Sequence, residues 1–186
     1  MIVAVAGRRP DPPESRSPRF PLAGIGAVSR QIRERLETCR ASAVVSSAAA
    51  GADLLTLQEA GALGLRRRVV LAGPSERFKQ ASVVDRPGDW GPLFDRIVGE
   101  VRATGDLIEL DVDGDFTGYL RVTAAILDEA VKLAQPSEQR LGALLVWDGK
   151  SRGDDDVTDA FRRQAAAARF ELLPDVLTFS GSLKET

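Results

Sequence analysis

The stretch "VVSSAAAGADLLTLQEAGALGLRRRVVLAG", Val44 to Gly73, decides the fold class. "SAVVS", Ser42 to Ser46, is short, apolar and β-branched, as a buried strand is. "AGADLLTLQEAGALG" follows as a helix of about three turns, stopped by Gly64. "RRVVLAG" returns as a strand. The same alternation runs outward in both directions. Upstream, "IVAVA" is a continuous apolar strand ending at Gly7. A proline-rich loop from Arg8 to Pro21 follows, then a helix carrying Ile25, Val28, Ile32 and Leu36 at spacings of three and four.

Downstream, Pro74 to Gly91 has little periodicity, with a short helical turn in "ERFKQASV". "PLFDRIVGEVRATG" places Phe94, Ile97, Val98 and Val101 inward, and "DLIELD" is a fourth strand. "TGYLRVTAAILDEAVKLA" is a longer helix, expected to bury Leu120, Ala124, Leu127 and Val131. "LGALLVW" is a fifth strand. The next helix opens with Asp154, Asp155 and Asp156 and carries Val157, Phe161, Ala165 and Ala168 inward. "FELL" is a short last strand. Buried strands alternating with amphipathic helices predict an α/β fold: a Rossmann-like, doubly wound, mostly parallel sheet with helices on both faces. One domain over 1–179 and a polar, frayed tail over 180–186 complete the expectation.

Composition narrows the chemistry. The 186 residues are 44% apolar, enough for a full core. The formal net charge of −2 gives no overall basic field to recruit nucleic acid. Arg66, Arg67 and Arg68 read as a solvated turn. Histidine is absent, which excludes Ser-His-Asp and Cys-His nucleophile machinery and removes the commonest metal ligand. Cys39, the single cysteine, permits no internal disulfide and no multi-cysteine zinc site, and reads as structural. The apolar N-terminal run is too short for a signal peptide, and no stretch reaches the roughly 18 apolar residues of a membrane span. A cytoplasmic protein without metal, cofactor or membrane partner is expected.

In a parallel open sheet, ligands sit outside the carboxyl ends of the strands. Four loops qualify: after Ala6, Ser46, Ala72 and Trp147. In the first, Gly7 lets backbone approach a ligand, and Arg8 and Arg9 either grip a phosphate or carboxylate or form an exposed basic turn. In the second, Ser46, Ser47, Gly51, Ala52 and Asp53 either hold a ribose or phosphate or simply start a tightly packed helix. In the third, Gly73 breaks the strand, and the stretch is either a plain loop or lets Arg77 reach back over a ligand. In the fourth, Trp147 packs against a base or into the core, Asp148 bonds a ribose or fixes the turn, and Gly149 takes positive φ. Asp154 to Asp156 cap the helix, hold a cation or repel a phosphate.

The order of these motifs is informative. "VAVAGRRP", "VVSSAAAGADLLTLQEAGALGLRRRVVLAGPSERF", "GYL…AAILDEA" and "LLVWDGKSRGDDDVTDAFRRQAAA" resemble the SLOG superfamily, the LOG- and DprA-like Rossmann-type nucleotide-binding domains. The resemblance runs from Ile2 to about Leu173 and is nearest to bacterial members with "GHRP", "S-x-x-A-x-GAD" and "WDG…GGT" signatures. Gly7, Arg8 and Arg9 match the first signature, with arginine in place of histidine. Ser46, Gly51, Ala52 and Asp53 match the second; Trp147, Asp148, Gly149 and Thr158 match the third. The resemblance implies a nucleotide or nucleotide-derivative ligand on these loops. Such domains often act as sensors in stress or defence signalling, and relatives commonly dimerise. The Gly-Gly-Thr helix start of the third signature is not reproduced: Asp155 and Asp156 stand near the glycine positions. The "PGGxGTxxE" motif of LOG enzymes has no counterpart, which counts against phosphoribohydrolase activity. No residue is assigned a catalytic role. A ligand-binding module is therefore favoured over a nucleotide N-glycosidic hydrolase, in which Asp53, Asp148 or Asp154 would act, and over a degenerate scaffold with Trp147 or Phe78 plugging the crevice. A raised carboxyl pKa in a deep cleft would favour the hydrolase.

Overall fold

The computed structural model describes residues 1–178, so the tail expected at 180–186 lies outside the described residues. Seven strands and six helices alternate there: β1 (Ile2–Gly7), α1 (Ile25–Thr38), β2 (Ala43–Ser46), α2 (Ala52–Ala62), β3 (Arg66–Ala72), α3 (Ser75–Ser82), α4 (Gly91–Ala103), β4 (Leu107–Leu110), α5 (Phe116–Ala134), β5 (Leu141–Trp147), α6 (Val157–Ala167), β6 (Glu171–Leu172) and β7 (Val176–Leu177). The sheet order is β4-β3-β2-β1-β5-β6, with β7 also on β5, and every pairing is parallel.

This order explains the layers. From β1 the chain steps through β2 and β3 to β4, always toward one edge. Right-handed crossovers moving one way place α1, α2 and α4 on one face, where α1 and α4 pack on α2. The connection through α5 runs back across the sheet, so α5 and α6 pack together on the other face. The winding therefore reverses between β1 and β5, and a crevice opens above their carboxyl ends. This is an α/β, Rossmann-like, doubly wound sheet. Val3, Val5, Val44, Val45, Val70 and Leu144 are fully buried, as the unbroken apolar runs require.

Three expectations need correction. First, α5 buries Val122, Thr123, Ile126, Leu127 and Ala130, while Ala124 is exposed and Leu120 and Val131 are half-buried. The helix is turned from the expected face because it must cover both the sheet and the crevice. Second, α6 begins at Val157, not at Asp154; Asp156 is its N-cap, and Ala168 lies exposed at the far end. Third, Arg66 to Arg68 start β3 rather than forming a turn. Arg66 and Arg68 pair with Asp106, Arg67 with Glu100 and Arg68 also with Glu129.

Close packing fixes the loop after β1. Phe20 is fully buried and anchors its end. Gly51 holds φ at 90°, and a Cβ there would lie 2.7 Å from Pro10 Cδ and 2.9 Å from the Arg8 carbonyl oxygen. Gly51→Ala combines left-handed strain with a backbone clash, so chemical denaturation should show a loss of about 2–4 kcal/mol. A loss under about 0.5 kcal/mol would contradict this packing.

Candidate functional site

A cavity of about 550 Å³ occupies the crevice. Its floor and near wall are Val5 to Arg9 at the end of β1, with Ser47, Ala49 and Asp53. α5 contributes Tyr119, Val122, Thr123 and Ile126, a stripe at spacings of three, one and three. α3 adds Phe78 and Ser82, and the start of α6 adds Asp155, Asp156, Val157 and Thr158. Arg86 and Arg152 also line it. The crevice is not plugged: Phe78 is buried in its wall, and Trp147 packs into the core beside it.

Arg8 does not face a ligand with a free guanidinium. It is only 4% exposed and grips the Asp156 carboxylate with both terminal nitrogens at 2.8 Å. Its Nε donates to Asp148 at 3.1 Å, and one terminal nitrogen also donates to the Lys150 carbonyl at 2.6 Å. Its guanidinium carbon lies 5.6 Å from the Trp147 ring centroid. Asp156 also accepts from the amides of Arg152 (2.7 Å), Thr158 (2.9 Å) and Asp159 (3.2 Å). Burial works to raise the Asp156 pKa, but the Arg8 hydrogen bonds and the Arg152 amide outweigh it and hold the carboxyl below the usual range. A carboxylate has roughly four lone-pair sites, so this one is saturated.

The other expected residues divide between the cavity and its support. Gly7, Arg9, Ser47, Asp53 and Thr158 line the cavity with Arg8. Arg9 is clamped to both oxygens of Asp85 at 2.8–2.9 Å. Gly7 is small for packing as well: a Cβ would meet Ala52 Cβ and the Val146 carbonyl oxygen, each at 2.4 Å. Ser46, Gly51, Ala52, Gly73, Trp147, Asp148 and Gly149 are outside the cavity lining. Ser46 Oγ donates to the Ser47 carbonyl at 2.6 Å, and Ala52 N to the Arg8 carbonyl at 3.1 Å. Trp147 Nε1 donates to Asp175 at 2.6 Å, and Asp148 pairs with Arg8 and Arg19. Gly149 takes φ 75° as expected. Arg77 turns away from the crevice and donates to the Val112 carbonyl at 2.9 Å. Sequence reasoning missed Arg86, Arg152 and the α5 stripe. The signal for the stripe was Thr123, a polar residue among apolar neighbours one position from the assumed face.

Asp53 is the second acid of the site, and its environment is the opposite of Asp156's. It is 8% exposed, and one carboxyl oxygen accepts from the Ala49 amide at 3.2 Å. Its other oxygen has no hydrogen bond among the described residues. Burial pushes its pKa up to about 7, against the smaller opposing pulls of the Ala49 amide and Arg9. Among the described residues no cluster of His, Cys, Asp or Glu is arranged to hold a metal ion, and no helix is long and apolar enough to cross a membrane.

Comparison with known proteins gives little. No family model and no curated protein matches the chain. Among solved structures, DNA processing protein A (DprA) from Streptococcus pneumoniae aligns with a TM-score of 0.43 at 12% identity, over 93% of this chain and 58% of that one. The chain thus spans little more than half the length of that protein.

The raised Asp53 pKa predicts a pH dependence. The folded state holds this proton up to about pH 7, whereas an unfolded Asp loses it near about pH 4. Between those values the folded state binds more protons, so stability falls as pH rises. No histidine titrates in the same window. Denaturant unfolding should show wild-type stability dropping by a few kcal/mol from about pH 4 to 7 relative to Asp53→Asn. Parallel pH profiles for the two proteins would contradict it.

Proposed function

We propose that this chain is a SLOG-type domain that binds a nucleotide or nucleotide derivative as a small-molecule ligand. The cavity above the strand ends carries this reading. It lies at the winding reversal of a parallel sheet, where such folds take ligands. Its volume of about 550 Å³ suits one nucleotide-sized molecule. Phe78, Tyr119, Val122 and Ile126 offer an apolar wall for a base. Asp53, Ser47 and Thr123 offer a few polar atoms for orientation, and Arg86 and Arg152 offer positive charge.

One observation favours a second reading, hydrolysis of a nucleotide N-glycosidic bond. Asp53 combines a pKa near 7 with a place in the cavity and a carboxyl oxygen unused by the protein. A carboxyl poised near the operating pH can move a proton as general acid or base. Product analysis with nucleoside monophosphates separates the readings: a hydrolase releases free base and loses that release in Asp53→Asn, whereas a binding module releases none.

Ligand binding should appear in a thermal-shift screen of nucleosides, nucleotides and dinucleotides. At about 100-fold excess over Kd, the melting temperature should rise by roughly 5–10 °C. Val122→Trp, which fills the cavity, should abolish the rise. A flat response to every compound would reject the proposal.

A further inference from the structure

The start of α6 is where a strand-turn-helix unit ordinarily receives a phosphate, through free amides and the helix dipole. Here that place is filled from within. The amides of Thr158 and Asp159 already donate to Asp156, as does that of Arg152 in the preceding loop. The two-pronged donor that would grip a phosphate, Arg8, is spent on the same carboxylate. An incoming phosphate would have to displace a buried, fully bonded anion while facing Asp148 behind it. The negative group of a nucleotide-type ligand therefore lies elsewhere.

Two cations of the cavity are the least committed: Arg86 has only a long ion pair to Asp85, which Arg9 already holds, and the Arg152 side chain has no partner among the described residues. Arg86 Nε is buried with no hydrogen-bond partner, although Asp85 Oδ2 lies 3.4 Å away. The Arg152 guanidinium forms no ion pair or hydrogen bond among the described residues. Partial desolvation, together with the neighbouring charges of Arg8 and Arg19, draws its pKa below the ordinary arginine value. The residue is exposed to solvent and also lines the cavity. The other charges of the lining are engaged or weak competitors. Arg9 is clamped to Asp85, and Asp11 accepts the amides of Arg19 and Phe20 at 2.7 and 2.6 Å. Asp155 is exposed in the turn and makes no bond to Arg152. Arg86, from the segment joining α3 to α4, and Arg152, from the loop after β5, bring weakly engaged positive charge from two separate connections to one cavity.

The geometry points to an anion seat formed by Arg86 and Arg152, so that a ligand phosphate rests on these two arginines and its uncharged end faces Asp53 and α5. This assignment rests on the proposed nucleotide-type ligand. It differs in placing the phosphate away from the α6 N-terminus and away from Arg8 and Arg9.

Calorimetry on the full chain at low ionic strength tests it, first with inorganic pyrophosphate alone. The second series pairs each of four nucleosides with its 5′-monophosphate. Wild type and the charge-matched control R96Q/R140Q should bind pyrophosphate alike, and R86Q/R152Q should bind it at least tenfold more weakly. The preference for monophosphate over nucleoside should fall by a similar factor in R86Q/R152Q. No pyrophosphate binding by wild type, equal weakening in the control, or an unchanged R86Q/R152Q would overturn the seat. If no nucleoside or monophosphate binds while pyrophosphate still depends on Arg86 and Arg152, the seat stands and the nucleotide reading falls.

Discussion

A buried arginine has to be paired, and in this chain that requirement organises the crevice. Arg8 sits at the end of the central strand, almost wholly removed from water. Left alone there, its charge would be intolerable. Asp156 and Asp148 supply the partners from the loop after β5, the neighbouring strand. One interaction thus ties together the two strand ends between which the winding reverses. It also sets where α6 begins, since the same carboxylate caps that helix. The loop after β1 is drawn in as well, through Arg19 on Asp148. The walls of the cavity follow from these ties.

Two aspartates of the cavity show how environment decides chemistry. Asp156 is buried but surrounded by donors, so it stays ionised and serves structure. Asp53 is buried with a single amide for company, so it holds a proton to near neutrality. Environments that push two like groups apart commonly mark a working site. By that contrast Asp53, not the conspicuous aspartate run before α6, is the acid that the proposed binding role would use. The run itself answers the charge problem it poses: one member is the occupant of the helix end, and the others lie in an exposed turn.

The strands and the alternation of layers were legible because buried parallel strands leave unbroken apolar runs, as "IVAVA" and "LGALLVW" do. The short α3 was legible in "ERFKQASV" despite its weak pattern. The inward face of α5 was not. Leu120, Ala124 and Val131 look more apolar than Thr123, yet Thr123 is buried, because one stripe of that helix lines a cavity as well as the sheet. The strand β7, two residues on the outer side of β5, left no pattern to read. Of the four loops named from sequence position, those after β1, β2 and β5 border the cavity, but the state of their side chains was not legible. Arg8 carries the same letters whether it awaits a phosphate or holds Asp156; only the fold, by bringing residues 148 places apart to 2.8 Å, decides. Arg86 stood in a segment without motif and Arg152 in one read for its aspartates, and their meeting at one cavity is a product of topology.

The most direct measurement is a double-mutant cycle on Arg8→Met and Asp156→Leu, followed by urea unfolding at neutral pH. A buried pair predicts that each single change costs about 3–5 kcal/mol, because each strands the other group, and that the double change costs far less than their sum, leaving a coupling of at least about 2 kcal/mol. Small, additive effects within about 0.5 kcal/mol would show that Arg8 is not committed to Asp156. The arginine would then be free for a ligand, and the self-filled helix end would have to be abandoned.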